Sequence, residues 1–544
     1  MNTFKKKSLH AAVLAGLGAL GAAGTANAVH INPDGLGQVV IYPYFTVRNG
    51  NVTAMSIINT TSLTKAVKVR YLEGKNSREV LDFNLFLSPQ DMWTGVILPT
   101  VDGAKLETGD NSCVTPFDLF GNAAGALRVD SLGLPINSFK NYQYTGGNVD
   151  NPTLNTLDRT REGYVEVIEM GVVTDAAVKG FTTHNSAGVP ANCAALDNYD
   201  AASFGTAPAT GRFPAGLTAP QGGLTGRASL INSANGTNYT YDVTVLDGWW
   251  APILPGSVPY SASGFTTPSI SLQVGIDTVS NVFVTGNPAI AGAGGQAGVV
   301  RAVWPTSREA VSSVFMRDSI INEFVTDAGT VSKTDWVITM PTKRDNIGVG
   351  VGTPNRPFSN NFANATATGA CDSYTLGIFN REEGTIGTTP GVILPSPRPP
   401  GVAAPGQVLC WEANVLEFGL TGLLGSNNNF RLQGAADAFA STGATTTGAA
   451  FATASRRVLQ GPNGWATLGF GAGAATAAVP GTGPQAQQSL NTATSTSLNG
   501  VNDTVPRVFY GLPVIGAMFH NYTNSGVASS YGGVIPHKYT RNIQ

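Results

Sequence analysis

Alternation of apolar and polar residues in short segments restricts the fold of this chain more than any other feature of its sequence. In the segment 81–87, apolar residues occupy every second position, and a similar alternation covers 67–71. A period of two places one set of side chains on each face of a β-strand, so we expect one face in a core and the other in water. Short strands with turn residues between them predict a mainly β fold of antiparallel β-sandwich domains, with one or two short helices and long Gly/Ala/Thr-rich loops.

Two Asn-Gly pairs mark connections between candidate strands. Each lies between two segments of strand character: Asn49-Gly50 between 39–47 and 52–58, and Asn235-Gly236 between 228–231 and 239–245. Asn-Gly is a strong hairpin signal because both residues accept the positive φ angles of a tight turn. The sequence therefore predicts an antiparallel hairpin at each place.

A single segment has a clearly helical pattern. It extends from Ser307, a candidate cap, to Val325, and its apolar residues recur mostly at steps of three and four: Val311, Val314, Phe315, Ile321 and Phe324. Such steps place side chains on one face of a helix. A further strand is predicted at 336–340, directly before Pro341.

Stretches rich in Gly, Ala, Pro, Thr or Ser interrupt the strand pattern and suggest where the chain divides. They cover 175–222, 385–406, 434–455 and 471–500. The last two contain almost no large apolar residues, so they are predicted to be long loops. The predicted organisation is a leader at 1–28, an N-terminal β-sandwich at 29–175, an irregular junction at 176–222, a second β-rich region with one helix at 223–355, and a C-terminal β-rich region with low-complexity loops at 356–544.

The leader has the three parts of a secretory signal peptide. Lys5, Lys6 and Lys7 precede a short apolar run at 11–23, and Ala26-Asn27-Ala28 provides a small-x-small cleavage site. This order predicts export and a mature chain that begins at Val29. No later apolar run reaches eighteen residues, so no transmembrane segment is expected in the mature chain. The expected location is secreted, at the cell surface or extracellular, with the periplasm as the alternative.

Weak charge limits the partners that the chain is expected to bind. Charged residues form 12% of the sequence, about half of the usual share, and the formal net charge is −2. This composition has no basic footprint for nucleic acid. A polar surface built from Asn, Thr, Ser and Gly is typical of surface proteins that self-associate. The expected partners are therefore further copies of the chain or other surface components, with glycans as an additional class.

Four cysteines are expected to be structural. They are Cys113, Cys193, Cys371 and Cys410, and none belongs to a CxxC pair. After export, an even number of cysteines indicates disulfides. Three pairings are open, and we favour Cys113–Cys193 with Cys371–Cys410 because each bond links neighbours within one segment. A catalytic thiol is the less supported alternative, since no nearby residue supplies an imidazole base.

Several segments are similar to those of a known group of proteins. They are Ser56 to Thr61 (SIINTT), Lys65 to Arg70, Ser77 to Trp93 (SREVLDFNLFLSPQDMW), Arg161 to Gly171 (REGYVEVIEMG), Thr334 to Arg344 (TDWVITMPTKR) and Tyr531 to Arg541 (YGGVIPHKYTR). Together they resemble an uncharacterised family of secreted proteobacterial proteins, often described as cell-surface proteins. The resemblance implies a location, and it implies neither an activity nor site residues.

No segment carries a recognisable catalytic motif. There is no G-x-S-x-G, and the histidines of the mature chain lie in unrelated contexts. We therefore expect no catalytic role and no cofactor, with calcium as the alternative. Exported β-proteins bind calcium through loop oxygens, and the candidate ligands are Asp102, Asp110, Asp150 and Asp158. The competing interpretation of these aspartates is that they are solvated turn residues.

Two tryptophans are the candidate residues for binding an organic ligand. Trp249 and Trp250 are adjacent and follow the second predicted hairpin, and an exposed indole stacks well on the apolar face of a sugar. For this pair a sugar-binding face and a core position are equally supported, whereas Trp336 and Trp465 are expected in the core. The leading function is an exported structural or interaction protein of a surface layer, fibre or extracellular matrix. The alternative is a carbohydrate-binding or polysaccharide-active secreted protein.

Overall fold

The architecture comes from a computed structural model, in which strands predominate. It describes residues 28–120, 129–130, 132–133, 135–204, 216–250, 269–272, 276–284, 298–347, 355–358, 361–362, 370–381, 408–418, 422–432, 463–470, 489–491, 494–497, 507–523 and 530–543. The predicted leader (apart from Ala28) and the predicted loops 385–406 and 434–455 lie outside these residues. Part of 471–500 is described, and it contains two short strands.

The strands of the first half of the chain are β1 (His30–Ile31), β2 (Val39–Thr46), β3 (Val52–Asn59), β4 (Lys65–Glu73), β5 (Glu79–Leu87), β6 (Met92–Pro99), β7 (Ala104–Glu107), β8 (Cys113–Thr115), β9 (Glu162–Val173), β10 (Leu217–Thr218), β11 (Leu224–Asn232), β12 (Thr237–Asp242) and β13 (Thr244–Asp247). The α-helices are α1 (Ala176–Thr182), α2 (Ala194–Phe204), α3 (Ser307–Phe315) and α4 (Lys343–Ile347). Short 3₁₀ turns lie at Tyr142–Tyr144, Gly146–Asn148 and Leu157–Arg161.

The strands of the second half are β14 (Val279–Val284), β15 (Gly298–Val303), β16 (Met316–Arg317), β17 (Ser319–Val325), β18 (Lys333–Thr339), β19 (Asp372–Ser373), β20 (Thr375–Asn380), β21 (Val408–Leu409), β22 (Ala413–Phe418), β23 (Asn429–Leu432), β24 (Asn463–Gly469), β25 (Ser489–Asn491), β26 (Thr494–Ser497), β27 (Val508–Tyr510), β28 (Leu512–Pro513), β29 (Ala517–Thr523), β30 (Ser530–Pro536), β31 (Lys538–Thr540) and β32 (Asn542–Ile543).

An antiparallel β-sandwich forms the N-terminal half, as the alternation predicts. One sheet has the order β1-β13-β2-β9-β4-β5-β8, with β10 beside β9, and the other has the order β12-β11-β3-β6-β7. The apolar positions of both sheets meet in one core, for example Val69 and Tyr71 from the first sheet and Ile57 and Trp93 from the second. Burial of these large side chains is the main favourable contribution to the free energy of folding.

The predicted hairpin at Asn49-Gly50 is wrong. Both residues have positive φ, 54° and 76°, but β2 and β3 belong to opposite sheets. The Thr53 hydroxyl instead bonds to the backbone of Thr46 across the connection. Alternation along two neighbouring segments is the same whether they pair within a sheet or face each other across a core, so the pattern could not distinguish these arrangements.

The hairpin at Asn235-Gly236 is confirmed. Strands β11 and β12 pair in register from Arg227 opposite Asp242 to Asn232 opposite Thr237, and Gly236 has a φ of 63°. The predicted second strand continued to Val245, but the chain leaves the sheet after Asp242. Strand β13 then pairs with β2 in the opposite sheet.

Two further sheets form around a second core. Their orders are β20-β24-β17-β31 and β23-β22-β18-β29-β30, and all of their pairings are antiparallel except β22 with β23. Trp336, Leu416, Phe418 and Leu468 are among the core residues. Since β17 and β18 pair with β24, β22 and β29, the predicted regions 223–355 and 356–544 share these sheets.

The predicted helix at 307–325 is right only for its first half. Thr306 caps α3 in a capping box with Glu309, and the helix ends at Phe315. Ile320, Asn322 and Phe324 point inward from β17, so a strand period replaces the helical one after Arg317. The predicted strand at 336–340 corresponds to β18. None of the helices in the described residues is both long and apolar enough to cross a membrane.

A third layer covers the sheet that contains β4. Helix α3 and strands β14 and β15 supply part of a core that includes Val39, Ile41 and Tyr164 from the outer face of that sheet. Leu72 of β4 belongs to this core and Ala66 to a separate small core. Every residue of β4 is buried, which corrects the prediction that one face of 67–71 lies in water. The sequence alternation is real, but its polar residues form ion pairs inside the protein.

Both favoured disulfides are present in the structure. Cys113–Cys193 and Cys371–Cys410 are bonded, which leaves no free cysteine. The segment 176–222, predicted to be an irregular junction, contains α1 and α2 in its described part. Asp175 caps α1 through the amides of Ala177 and Val178, and both helices pack beside the Cys113–Cys193 bond in a small core.

Candidate functional site

Trp249 and Trp250 do not form an exposed sugar-binding face. Both side chains are buried, and their rings lie 6.0 Å apart in the core beneath the third layer. The Trp249 indole donates a hydrogen bond to the carbonyl of Ile270 at 2.8 Å. Of the two interpretations left open by the sequence, the core position is therefore the one that the structure shows.

The four candidate calcium ligands lie in different surroundings. Asp102 is in an exposed turn, whereas Asp110 accepts hydrogen bonds from the amides of Thr94 and Ser112. Asp150 and Asp158 are held by arginines. Across the described ranges, no group of three or more His, Cys, Asp or Glu side chains is arranged to hold a metal ion.

A cluster of buried ion pairs, which we call the charged layer, surrounds Arg159. This guanidinium binds both carboxylate oxygens of Glu73, at 2.6 and 2.8 Å, and both of Asp150, at 2.8 Å each. Burial alone would raise the pKa of Asp150, but the hydrogen bonds from Arg159 outweigh it and hold that pKa below its usual range. Two bidentate contacts on one guanidinium give a rigid arrangement.

The charged layer continues to Glu162 and joins the two halves of the protein. Arg48 binds Glu162 at 2.9 Å and Asp158 at 2.8 Å. From the C-terminal half, the Ser426 hydroxyl and the Asn427 amide donate to Glu162 at 2.5 and 2.9 Å. The carboxylate of Glu162 is thus fully engaged in holding the loop 422–428 against the N-terminal sandwich.

Glu412 differs from the other carboxyls of this region. It is buried, and neither of its oxygens has a hydrogen-bond partner among the described residues. Burial raises the pKa of Glu412 to about 8, against the opposing effect of Lys343 and Arg344. Nearby, burial lowers the pKa of Lys75 to about 8. Both shifts follow from the cost of a charge in an interior of low dielectric constant.

The exposed tryptophan is one that the sequence placed in the core. Of the seven tryptophans, all within the described residues, six are buried, whereas Trp465 is 41% exposed. The expectation for Trp336 is confirmed and that for Trp465 is wrong. On β24 the alternation turns Ala466 and Leu468 inward and Trp465 outward. This phase was visible in the sequence, where Trp465 is in register with Thr467 and out of register with Leu468.

Trp465 stacks on Phe379 from the neighbouring strand β20. Their ring centroids are 4.1 Å apart and the planes differ by 13°, so one face of the indole is covered by the phenyl ring. On its other side, Trp465 lies directly opposite the exposed Glu323 of β17. We call Phe379, Trp465 and Glu323 the aromatic site.

Small and hydroxylated residues surround the aromatic site on the same sheet face. The next cross-strand row contains Gly377, Thr467 and Ile321, and the row after it contains Thr375, Gly469 and Ser319. A Cβ atom at Gly377 would lie 3.3 Å from the ring of Phe379 and 2.9 Å from the methyl group of Thr467. The absence of a side chain at Gly377 therefore allows the phenyl ring to lie against the sheet.

A shallow groove of about 300 Å³ crosses the outer face of the N-terminal sheet β12-β11-β3-β6-β7, which we call the five-stranded sheet. The side chains that line it are mostly small and neutral, including Ala54, Ser56, Thr94, Val96 and Ser229, with Glu107 and Arg227 as the charged members.

Comparison with known proteins gives no relative for this chain. No known family matches the sequence, and neither a curated protein nor a solved structure is significantly similar to it.

Proposed function

We propose that this protein is an exported, non-catalytic interaction protein of the cell surface or extracellular space, which associates with further copies of itself. The observation that carries the proposal is the distribution of charge. In the charged layer, buried arginines pair with buried carboxylates. The side chains that line the groove are mostly neutral.

Export is supported by the predicted signal peptide and by two disulfides, which persist in oxidising compartments. A structural role is supported by the way in which the carboxylates of the charged layer are used. Glu73, Asp150 and Glu162 each bind arginine, and Glu162 also accepts hydrogen bonds from Ser426 and Asn427 of the C-terminal half.

Self-association is supported by the outer face of the five-stranded sheet. Neutral surfaces approach each other without strong repulsion, because the interaction between like charges is the main barrier to contact between identical copies. Val96 lies in the groove on β6, and Ala54 lies beside it on β3. In this arrangement the groove is the contact between two copies of the chain.

Light scattering and sedimentation of the purified exported protein over a range of concentrations test this proposal, together with immunogold microscopy of intact cells. We expect assemblies that grow with concentration, and label at the cell envelope or in the surrounding matrix. Val96→Lys should weaken association because it places a charge in the groove. Asn238→Lys is the matched control, since Asn238 is exposed on β12 of the same sheet and outside the groove.

A protein that stays monomeric at every concentration and is absent from the cell envelope would contradict the proposal. Equal weakening by Val96→Lys and Asn238→Lys would contradict the groove as the contact, because it would show a general effect of charge.

A further inference from the structure

Trp465 exposes an apolar surface that folding does not require. The six other tryptophans are at most 2% exposed, so the fold can bury indoles and leaves this one outside. Single apolar residues on a surface are common, but Trp465 is fixed in place by its stack on Phe379. A rigid exposed ring loses little conformational freedom when a ligand binds to it.

The free face of the indole is turned toward a carboxylate. Strand β24 lies between β20 and β17, so Phe379 covers the Trp465 ring from one side and Glu323 lies on the other. Lys538 lies one row further, opposite Ile321 on β31. A ligand against the free indole face would therefore contact an apolar wall and hydrogen-bonding groups beneath it.

This geometry favours a ring that has an apolar C–H face and hydroxyl groups at its edge over a compact cation. Recognition of a quaternary ammonium requires aromatic faces that converge on it, but Phe379 and Trp465 stack on each other and leave one face free. A stable protein partner requires about 800 Å² of complementary surface on each side. Here the exposed apolar surface consists of the two rings and the partly buried Ile321, and Thr467, Thr375 and Ser319 lie beside them.

We propose that the aromatic site binds a pyranose ring of a neutral polysaccharide, with the ring stacked on the free face of Trp465 and a sugar hydroxyl donating to the carboxylate of Glu323. The C–H groups on one face of a pyranose match the electron-rich face of indole. The hydroxyls at the ring edge match a carboxylate acceptor, and a neutral sugar avoids repulsion by Glu323. This inference goes beyond the proposed self-association and does not depend on it.

Fluorescence provides a direct test because Trp465 is the accessible indole among seven. Acrylamide quenching of the full exported protein should report mainly on Trp465. The probes are laminarin, xyloglucan, galactomannan and soluble starch in solution, with binding measured in parallel on native affinity gels. Pull-down with microcrystalline cellulose and with chitin covers insoluble polymers. We expect at least one polymer to bind and, if soluble, to protect the indole from acrylamide.

Three variants assign the binding to the aromatic site. Trp465→Ala should weaken binding about tenfold, which corresponds to the loss of one stacking contact. Glu323→Gln should weaken it less, because the amide oxygen still accepts a hydrogen bond. Tyr531→Ala is the matched control, since Tyr531 is an exposed aromatic residue on β30 of the other C-terminal sheet, and it should bind as the wild type does.

Three results would overturn the proposal: no polymer of this panel binds the wild-type protein, Trp465→Ala binds as well as the wild type, or tetramethylammonium chloride protects the indole and the polymers do not. If Trp465→Ala fails to fold, Trp465→Tyr keeps a stacking ring and should retain binding. Quenching of the wild type remains a measurement that requires no variant. Loss of self-association without loss of polysaccharide binding would refute only the function proposed above.

Discussion

The charged layer and the aromatic site reverse the usual distribution of polar and apolar groups. Around Arg159, charged side chains lie in the interior at the junction of the two halves. Around Trp465, two stacked rings lie on the outer face of a sheet. The buried charge of Arg159 is tolerated because its guanidinium donates hydrogen bonds to the carboxylate oxygens of Glu73 and Asp150. The exposed rings are tolerated because the apolar patch is small.

The two regions contribute differently to stability and to binding. Removal of one partner in the charged layer leaves a buried charge without compensation, so this region should be essential for stability. The aromatic site has water on one side, so its side chains contribute little to stability and remain available for a ligand. Stability measurements on matched variants of the two regions test this difference.

The largest effect is expected from Arg159→Met. The substitution removes the cation that Glu73 and Asp150 share and leaves Asp150 only the longer contact with Arg78 at 3.3 Å, which should lower the free energy of unfolding by about 5 kcal/mol. Arg159→Lys should lower the free energy of unfolding by less, because lysine keeps the positive charge and loses only the bidentate hydrogen bonds. Denaturant unfolding of the oxidised protein, followed by circular dichroism, provides the measurement.

The control for Arg159→Met is an exposed ion pair on the five-stranded sheet. Arg227 binds Asp242 at 3.2 Å, and their side chains are 64% and 76% exposed. Arg227→Met should change the free energy of unfolding by less than about 1 kcal/mol. Similar losses in Arg159→Met and Arg227→Met would refute the prediction that the charged layer is essential for stability.

The next effect compares two tryptophans. Trp249→Ala should lower the free energy of unfolding by about 4 kcal/mol, because it opens a cavity and removes the bond to Ile270. Trp465→Ala should lower it by about 1 kcal/mol, the contribution of one aromatic pair. The same unfolding experiment compares both variants. A larger loss for Trp465→Ala would show that the exposed rings are a structural element.

A separate effect concerns the pH dependence of stability and Glu412. Burial raises the pKa of Glu412 in the folded protein to about 8 from an ordinary value of 4.5. Between these values the folded protein retains a proton that the unfolded chain has released. The free energy of unfolding therefore falls as pH rises, by about 1.4 kcal/mol per pH unit from this group.

Glu412→Gln should flatten that slope between about pH 5 and pH 8, because glutamine does not titrate. Denaturant unfolding at a series of pH values measures it. Glu107→Gln is the matched control at an exposed carboxyl, and its slope should equal that of the wild type. An unchanged slope in Glu412→Gln would contradict a carboxyl that is protonated in the folded protein.

Local signals in the sequence were sufficient for several elements. Asn235-Gly236 predicted the hairpin between β11 and β12 because Gly236 accepts the positive φ angle that the turn requires. The neighbouring cysteines predicted both disulfides. The sequence predicts the start of the helix at Ser307 but not its end at Phe315. Ile321 and Phe324 are three residues apart, which fits a helix, although both belong to a strand.

Burial of the tryptophans was the least predictable feature. Trp249 and Trp250 are in the core because α3 and β14 cover their sheet, and these elements come from another part of the chain. The phase of β24 indicated which way Trp465 points, but it did not indicate whether a layer covers that face. The stack with Phe379 required the register of β20 and β24, which are separated by more than eighty positions in the sequence.

The mainly β character of this protein, the cysteine pairs and the turn at Asn235-Gly236 follow from the sequence. These features depend on alternation, spacing and the φ preferences of single residues, all of which are local. That β2 and β3 lie in opposite sheets, that charges fill the layer around Arg159 and that Trp465 is exposed follows from the tertiary structure. Those outcomes depend on which sheet face is covered by distant elements, and burial of a face is a property of the packed molecule.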